Sequence, residues 1–493
     1  MRSEDNAERG PLGSIQDEHD HGNGNSLELD SNLVGWDGPD DPKNPQNFSR
    51  KRKWIITINM GLMAFCATFA SSIFSSAAVA TSKEFGKSQE VMTLGASLFV
   101  LGFSFGPIVW GPFSEVFGRK IPLFAGMIGF VIFQVPVAVA SNVETIMICR
   151  FLGGCFGAAP LAVVGGLADI WDPIGRTMAI CVFAGGTFIG PVGAPIIGGF
   201  IVDSYLGWRW TAWVTLILSA FLGAIGFFAI PETSAATLLQ YRAKELRFRT
   251  KNWALHAKAD EVRVDARSIV TVYLVRPFAM LLQEPILLFV TIYLSFIYGI
   301  LYLFFEAFPI SFQEQRGWNA GVGGLPFLSI IVGVVLGSTV LVISTKTRFA
   351  RKYRENDRVI PEERLPPMIL GAFLLPIGLF WFGWTSSPHI TWVPQIIGAV
   401  PAGMGILIGF WQGINYLIDC YGVYSNSAIA GNTFVRSLAG AGFPLFATPM
   451  YHNLGVPWAS SLLAFLCVLF IPAPIIFFYY GAKIRKWSRF AAM

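Results

Sequence analysis

Long apolar runs alternate with short polar stretches along almost the whole chain. A transmembrane helix needs about 20 mainly apolar residues, and windows of roughly that length identify twelve candidates. The pattern predicts an all-α polytopic membrane protein with twelve transmembrane helices. The predicted spans are 54–77, 91–112, 121–141, 145–170, 178–203, 211–231, 285–308, 322–345, 366–385, 391–418, 425–449 and 458–481.

Composition agrees with this pattern. Of the 493 residues only 14% are charged, against about 25% in soluble proteins. The first apolar run begins near residue 54 and is too long for a cleaved signal peptide, so we expect it to be an uncleaved first span. The six cysteines lie in or next to apolar segments without CxxC or metal-ligand spacing, so we interpret them as packing residues. The sequence predicts no disulfide framework, no metal site and no cofactor.

The cations indicate the orientation, because cytoplasmic loops collect Lys and Arg. If both termini are cytoplasmic, the inner segments hold 27 cations, with three more in the N-terminal tail, and the outer loops hold 4. The net charge of +5 is therefore a topology signal, and no nucleic-acid partner is implied.

Polar segments divide the chain into two halves. Residues 1–45 carry eleven acidic residues and almost no apolar runs, so we predict a disordered cytoplasmic tail. The longest polar interruption, 232–283, predicts a cytoplasmic linker between six-helix bundles at 46–231 and 284–482, and 483–493 form a second cytoplasmic tail. Two such halves are typical of secondary transporters with pseudo-symmetric repeats, although the halves show no clear similarity in sequence.

The joint between the second and third spans, GPFSEVFGRK, is rich in glycine and charge. Glu115 and Arg119 are four residues apart, a spacing that pairs on a helical turn. One interpretation is a topology anchor made by the two cations. The other is a charge latch between the two halves, broken and remade as the protein changes conformation. The residues in question are Gly111, Glu115, Gly118, Arg119 and Lys120.

A stripe of small residues follows one face of the fifth span, in GGTFIGPVGAPIIGGFI. Such a face lets another helix pack closely in lipid, and prolines within the span are expected to bend it. Generic small-residue packing is the alternative to a functional role. The motif residues are Gly186, Gly190, Pro191, Pro195, Gly198 and Gly199, with Ala194 completing the stripe.

Ionisable residues inside the membrane are functional candidates, because each costs on the order of 3 kcal/mol there unless it is paired or hydrated. Arg150, Arg436 and Glu306 lie within apolar sequence. Glu306 shares a helix face with Tyr298 and Tyr302 at i, i+4 and i+8, and it is our candidate proton carrier. The alternative is a carboxylate hydrated at the outer interface.

The tenth span carries a polar stripe that lipid would not tolerate, so we expect it to face water or substrate. Its members are Gln412, Asn415, Tyr416 and Asp419, with Trp411 beside them. Asp419 and Asp169, at the inner ends of two spans, are second choices for a coupling acid. Arg436, one turn after Asn432, is assigned to substrate contact, with a structural ion pair or carbonyl-bound arginine as the alternative.

Several of these segments resemble a known family. GPFSEVFGRK looks like the loop motif of the major facilitator superfamily, with Glu115 in place of the usual Asp. ICRFLGGCFGAA around Arg150 and GTFIGPVGAPIIGG resemble its span-four and antiporter motifs, except that Ala194 replaces the usual Gly. WDGPDDPKNPQNFSRKRKW, WRW, PET, FFEAFP and PEERL are similar to the fungal twelve-span drug:proton antiporter group.

The resemblance covers about residues 35–490 and implies the major facilitator fold, with a central cavity lined by spans 1, 4, 7 and 10. It also implies that Arg150 responds to protonation of a nearby acid. It does not fix the cargo, since members carry drugs, polyamines, organic acids or self-made toxins.

We therefore expect a secondary transporter, not an enzyme, which exports small organic molecules such as drugs, toxins or secondary metabolites in exchange for protons. Transport of polyamines or organic acids, and a nutrient symporter, are the alternatives. We predict a monomer in the plasma membrane, with a vacuolar membrane as the other option; its partners are the cargo, protons and the lipid bilayer.

Overall fold

The computed structural model of the chain describes residues 32–261, 270–356 and 358–491. Over these residues the chain is helical, with no strand beyond one isolated bridge between Leu33 and His256. The first half contains spans 1 to 6, whose bounds are Arg50–Phe85, Gln89–Val116, Lys120–Ala138, Val143–Ile170, Pro173–Asp203 and Arg209–Ala229.

The second half contains four separate spans and one very long helical run. Spans 7 to 10 are Pro285–Glu314, Ala320–Asn356, Pro361–Trp384 and Trp392–Tyr421. The run Ser425–Arg485 has 61 residues, about 90 Å at 1.5 Å per residue, which is three times the thickness of the hydrocarbon core. Gly455 interrupts it with φ 74° and ψ 159°. This break separates span 11 (425–454) from span 12 (456–485), so the eleven runs of the described chain provide the twelve predicted spans.

The helix contacts repeat between the halves. Span 1 packs against span 5 as span 7 packs against span 11, and spans 2 and 4 pair as spans 8 and 10 do. The halves meet where span 2 contacts span 11 and where span 5 contacts span 8. Adding six to both span numbers, and returning to 1 after 12, converts each of these pairs into another pair of the set. The fold therefore has the pseudo-two-fold arrangement expected of two six-helix bundles.

The segment before span 1 is ordered against the linker. The Arg242 guanidinium, on the linker helix Ala235–Thr250, donates a 3.0 Å hydrogen bond to Asp41. The amide of Val34 donates to the carbonyl of His256 at 2.8 Å. The prediction of disorder over 1–45 is therefore corrected for 33–45, because Arg242 and a small apolar cluster on the linker hold that segment. Residues 1–31 of the predicted tail lie outside the described residues.

The rest of the linker is only partly described. After the helix Ala235–Thr250 it forms a 3-10 turn at Lys258–Asp260, a π-helical stretch at Val270–Val275 and a short helix at Arg276–Gln283 that leads into span 7.

Candidate functional site: a cavity between the two halves

A cavity of about 410 Å³ lies between the two bundles. Its deep end is lined by Tyr298 and Tyr302 of span 7, Arg436 of span 11 and Trp411 of span 10. From there it extends to the end of span 2, where Glu115 and Arg119 line the other end. By the orientation predicted from the cations, this second end faces the cytoplasm.

Tyrosine hydroxyls and aromatic faces organise the deep end. The Tyr302 hydroxyl lies 2.8 Å from Ser71 Oγ on span 1 and 3.4 Å from the Tyr298 hydroxyl. The Arg436 guanidinium stacks over Tyr298 at 5.3 Å and over Phe410 at 4.7 Å from the ring centroids. Three residues predicted from the sequence as substrate contacts, Tyr298, Tyr302 and Arg436, therefore meet at one point between the halves.

The polar stripe of span 10 does not line this cavity. The face of span 10 that does so carries Trp411, Ile414 and Ile418. Gln412 and Asn415 are buried on the adjoining faces, one residue further along the helix and thus rotated by about 100°. The expectation that this stripe faces the substrate is therefore corrected: it does not border this cavity, because packing against neighbouring spans determines which face of the helix turns inward.

Two further predicted contacts pack inside the second bundle. The Tyr416 ring lies 6.2 Å from the Phe477 ring of span 12, and the Asn432 amide donates a 3.1 Å hydrogen bond to Thr291 Oγ1 of span 7. In this conformation both stabilise helix contacts and neither borders the cavity.

Arg150 is bound by backbone carbonyls. Its guanidinium donates hydrogen bonds to Gly95 O at 2.9 Å, Ala70 O at 2.8 Å and Ser71 O at 3.1 Å. It also stacks on Phe99 at 4.5 Å. Arg150 thus joins spans 1, 2 and 4 beside Ser71, the residue that holds Tyr302.

The charged loop after span 2 is anchored inside the first bundle. Arg119 Nε lies 2.9 Å from Asp169 Oδ2 on span 4, while the Glu232 carboxylate accepts hydrogen bonds from the amides of Arg119 and Lys120 at 2.8 and 3.0 Å. Burial opposes the charged form of Arg119, but the Asp169 carboxylate beside it raises the pKa of the guanidinium above its usual value. Gly118 has φ +82°, and a Cβ there would lie 2.4 Å from the Glu232 carboxylate, so this position requires glycine.

The contact between the halves at this end is made by Glu115. Its carboxylate accepts a 2.9 Å hydrogen bond from the Asn426 amide at the start of span 11. The Lys120 ammonium instead stays in the first bundle, over the Phe227 ring at 4.7 Å. Gly111 borders the cavity with open space where a Cβ would stand. The ion pair of Arg119 thus lies within one bundle and the bond of Glu115 lies between the two.

The second bundle repeats the arrangement of Arg119 and Asp169. Arg364, at the start of span 9, donates to Asp419 at the end of span 10 at 2.7 Å, with both side chains almost fully buried. Glu362 lies 2.9 Å from Arg485 at the end of span 12. Asp419 is therefore one partner of a buried ion pair at the predicted cytoplasmic end of the second bundle.

Glu306 borders a separate, smaller pocket of about 30 Å³. Ser75, Ser76 and Gln89 of the first half and Gln313 of the second half share this pocket. Glu306 is one turn beyond Tyr302 and is buried, so the tyrosine lies between the carboxyl group and the cavity.

The small-residue stripe of span 5 packs directly on span 1. A Cβ at Gly186 would lie 3.1 Å from Gly61 O, and one at Gly198 would lie 2.9 Å from Ser76 Oγ. Between them, the carbonyls of Pro191 and Pro195 accept hydrogen bonds from Ser72 and Ser76 at 2.6 and 3.2 Å. The donors of both bonds are serine hydroxyls of span 1.

Gly199 lies at the boundary between the halves. A Cβ there would be 2.3 Å from Ala320 O on span 8. Next to it, Asp203 accepts a 2.7 Å hydrogen bond from the Gly321 amide. These contacts and the Ser71–Tyr302 bond close the predicted outer side of the cavity.

A family model settles the classification of the chain. The Major Facilitator Superfamily model matches residues 60–444. The chain belongs to the major facilitator superfamily. It is a multi-pass membrane transporter and not an enzyme, and the predicted major facilitator fold is confirmed.

Relatives of this superfamily member come from fungi. "Citrinin biosynthesis cluster MFS transporter mrr1" of Monascus ruber is 57% identical over 465 residues, covering 94% of this chain and 93% of the relative. "Cercosporin MFS transporter CTB4" of Cercospora nicotianae is 46% identical over 467 residues, covering 94% and 91%. The resemblance to fungal exporters found in the sequence is confirmed.

Solved structures show the same fold. The proton:xylose symporter XylE, solved with 6-bromo-6-deoxy-D-glucose, aligns with a TM-score of 0.60 over 88% of this chain and 96% of that one. At 15% sequence identity, this likeness concerns the architecture alone.

Sequence reasoning missed several residues of the cavity wall. Phe183, Thr187 and Phe410 line it, and Arg176, counted only as an orientation signal, lies near its cytoplasmic end. Thr187 had a detectable signal, since it is a polar residue within the glycine-rich antiporter motif. Arg364 lies outside the cavity wall, and its pairing with Asp419 had no local signal because the two residues are 55 positions apart. Among the described residues no group of three or more His, Cys, Asp or Glu side chains is placed to hold a metal ion.

Proposed function

We propose that this transporter exports a small amphiphilic secondary metabolite in exchange for protons, by alternating access of the cavity between its two halves. The observation that carries the proposal is the cavity itself, which combines aromatic walls with Arg436 and hydroxyl groups. Small-molecule sites are usually apolar concavities of about 300–1,000 Å³ with a few placed polar groups. The names of the relatives, which refer to citrinin and cercosporin, support a metabolite as the cargo.

The contacts between the halves support alternating access. On the predicted outer side, Asp203 bonds Gly321 and Ser71 bonds Tyr302, whereas the cavity reaches Arg119 on the predicted cytoplasmic side. Cargo enters from the cytoplasm in this arrangement. Opening of the outer contacts and closing of the inner end then release the cargo outside.

Glu306 is the proposed site of proton coupling. Its pocket is shared by both halves on the side opposite the cytoplasmic end, so protonation from outside is open to it when the halves separate there. Tyr302 contacts Ser71 of the other half one helical turn below. A change in the charge of Glu306 thus acts next to the contact that closes the cavity.

The remaining assignments belong to the same proposal. The transporter acts as a monomer in the plasma membrane with both termini in the cytoplasm. The domains are a cytoplasmic tail before 46, bundles at 46–231 and 284–482 joined by the linker 232–283, and a cytoplasmic tail at 483–493.

Efflux from cells that lack their own drug pumps tests the function. Cells expressing the wild type are loaded with a panel of organic cations, neutral amphiphiles and organic acids, and efflux is followed with acid outside. We expect at least one panel member to leave faster than from empty-vector cells, and a protonophore to abolish the difference. Matched variants are Glu306→Gln and Glu144→Gln, since Glu144 is an exposed carboxylate on the same predicted outer side.

Two results would overturn the proposal. One is that no panel member leaves faster than from empty-vector cells despite normal surface expression. The other is that external acid drives accumulation of a panel member inside the cells, which would indicate a symporter.

A further inference from the structure

Arg436 is a half-buried cation at the cavity wall, and the described residues provide no counter-ion for it. Its guanidinium borders the cavity and touches the faces of Tyr298 and Phe410. Its Nε atom is buried and makes no hydrogen bond, and in the described parts of the chain no carboxylate pairs with it. Because charge in the membrane interior is costly unless paired or hydrated, an unpaired guanidinium at a cavity wall indicates a site for an anion.

Three other arginines of the spans and their ends differ in this respect. Arg150 donates to three backbone carbonyls. Arg119 and Arg364 each pair with an aspartate, at 2.9 and 2.7 Å. The chain thus supplies acceptors to these three arginines and leaves Arg436 facing the cavity.

A second unpaired donor lies in the same wall. Trp411 is 7% exposed, and its indole Nε1 is buried without a hydrogen-bond partner among the described residues. A buried donor left unpaired carries a desolvation cost that a suitable ligand removes. The Arg436 guanidinium and the Trp411 indole N–H are hydrogen-bond donors and cannot accept, so the ligand must offer acceptor oxygens.

The charges along the cavity favour the same kind of ligand. Its two carboxylates, Glu115 and Asp169, lie at the cytoplasmic end, where Asn426 and Arg119 contact them. Arg436 is the charged side chain at the deep end, according to the described lining. The lining carries three arginines, Arg119, Arg176 and Arg436, against these two carboxylates, and a cleft with a net positive charge favours an anionic ligand.

The walls beside Arg436 are aromatic. Phe188 and Phe410 meet at 5.2 Å and Phe183 and Trp411 at 6.4 Å, both edge to face across spans 5 and 10. Aromatic rings pack favourably in such offset or edge-to-face arrangements. The ring system of a ligand can pack against these aromatic walls of the cavity while its acidic group reaches the guanidinium.

We propose that the cargo of this transporter is an aromatic organic anion, whose carboxylate or phenolate pairs with Arg436 and accepts a hydrogen bond from Trp411 at the deep end of the cavity. This inference rests on the proposed export function and specifies its substrate class. Exchange of one proton inward for one such anion outward moves two positive charges inward. The membrane potential therefore assists export of this cargo class.

Binding of three matched probes to the purified full-length protein tests the site. The probes share one ring system and differ in charge: 2-naphthoate, 2-naphthamide and 2-naphthylmethylamine. By calorimetry at pH 7, we expect the carboxylate to bind the wild type about tenfold or more tightly than the amide, as hydrogen bonds to charged groups imply. The amine should bind weakest, because Arg436 repels it.

The variants separate the site from general effects on the protein. Arg436→Gln should bring the carboxylate and the amide to within about twofold of each other, and Arg436→Lys should keep part of the preference because it keeps the charge. Trp411→Phe keeps the ring contacts and should weaken carboxylate binding a few fold. Arg351→Gln is the control, since Arg351 is exposed beside Glu355 on the cytoplasmic side.

Three results would overturn the inference: equal binding of carboxylate and amide by the wild type, tighter binding of the amine, or no saturable binding of 2-naphthoate at millimolar concentration. If Arg436→Gln does not fold, retention of the full carboxylate preference by both Arg436→Lys and Trp411→Phe would overturn it as well. Binding is measured without a proton gradient, so these failures are distinct from failure of proton-driven efflux.

Discussion

The contact between spans 1 and 5 allows a sharp test of the packing, because Gly190 has no room for even a methyl group. A Cβ at this position would lie 2.3 Å from Thr68 Oγ1, 2.8 Å from Phe65 O and 3.0 Å from Phe69 N. The threonine can rotate away, but the other two atoms belong to the backbone of span 1. An ordinary contact needs about 3.4 Å or more, so the helices must separate by roughly 0.5–1 Å.

The magnitude follows from this overlap. Overpacking a close interface costs about 1–3 kcal/mol, and separation of the helices also strains the 2.6 Å bond from Ser72 to Pro191 O. Gly193 in the same span is a matched control, because a Cβ there meets nothing within 4 Å. Both Gly→Ala changes alter the intrinsic helix propensity equally, so the difference between them isolates the clash.

We expect purified Gly190→Ala to melt about 2–6 °C below Gly193→Ala, at roughly 2 °C per kcal/mol for a large domain. Gly190→Leu should abolish transport. The measurement is thermal unfolding in detergent followed by size-exclusion chromatography, with efflux in cells alongside it. Melting of the two alanine variants within about 1 °C of each other, with equal transport, would refute the proposed close contact.

Three further predictions concern the movement of the halves and its coupling to protons. Arg119→Ala should reduce efflux about tenfold or more at normal surface expression, and so should Asp169→Asn. The double variant should be no worse than either single variant, because all three lose the same ion pair. Normal efflux by these variants would mean that the charged loop only sets the topology. Gly199→Ala should leave the melting temperature closer to the parent than Gly190→Ala does. It should increase the labelling of a cysteine introduced at the outer contact between the halves, because its clash is with the other half and opening relieves it; unchanged labelling would contradict this. Glu306→Gln should still bind and exchange cargo but lose uphill efflux driven by external acid, and parental efflux with the parental pH dependence would exclude Glu306 as the coupling site.

Hydropathy predicted the spans well because each must cross the bilayer with its backbone hydrogen bonds satisfied within the segment. That requirement is local and leaves a local pattern. The boundary between spans 11 and 12 was predicted although the helix is almost continuous there, since the polar residues around Gly455 interrupt the apolar runs.

The side of each helix that borders the cavity was harder to predict. On span 10 the sequence correctly indicated a polar stripe, but the wall of the cavity carries Trp411 and Ile414, and Gln412 and Asn415 lie on adjoining faces. A rotation of one residue, about 100°, leaves the hydropathy of the span unchanged. Only the packing of both bundles determines it.

Partners distant in sequence were equally inaccessible. The spacing of Glu115 and Arg119 suggested that they form the latch together, but it could not indicate the partner that each has on another helix, Asn426 and Asp169 respectively. The order of residues 33–45 likewise depends on Arg242, some 200 positions away. No local pattern carries these pairings.

The distribution of contacts explains how such a protein can move. Within each bundle, helices meet through glycine faces and buried ion pairs such as Arg364 with Asp419. Between the bundles, the described polar contacts include the Ser71–Tyr302 bond on the outer side and the Glu115–Asn426 bond on the inner side. A typical hydrogen bond contributes about 0.5–1.5 kcal/mol net, so a few of them hold each closed side with only a few kcal/mol.

A binding event can supply a free energy of this size. A shift from 1:99 to 99:1 between two conformations needs about 5.5 kcal/mol of differential binding, and a charge neutralised in a buried position supplies a large part of it. Glu306 is one turn from Tyr302, which closes the outer side, and Tyr302 is one turn from Tyr298, on which Arg436 stacks. In the proposed mechanism, protonation at one end of this row and an anion at the other act on the same weak contact, so that a proton and the cargo influence each other without sharing a site.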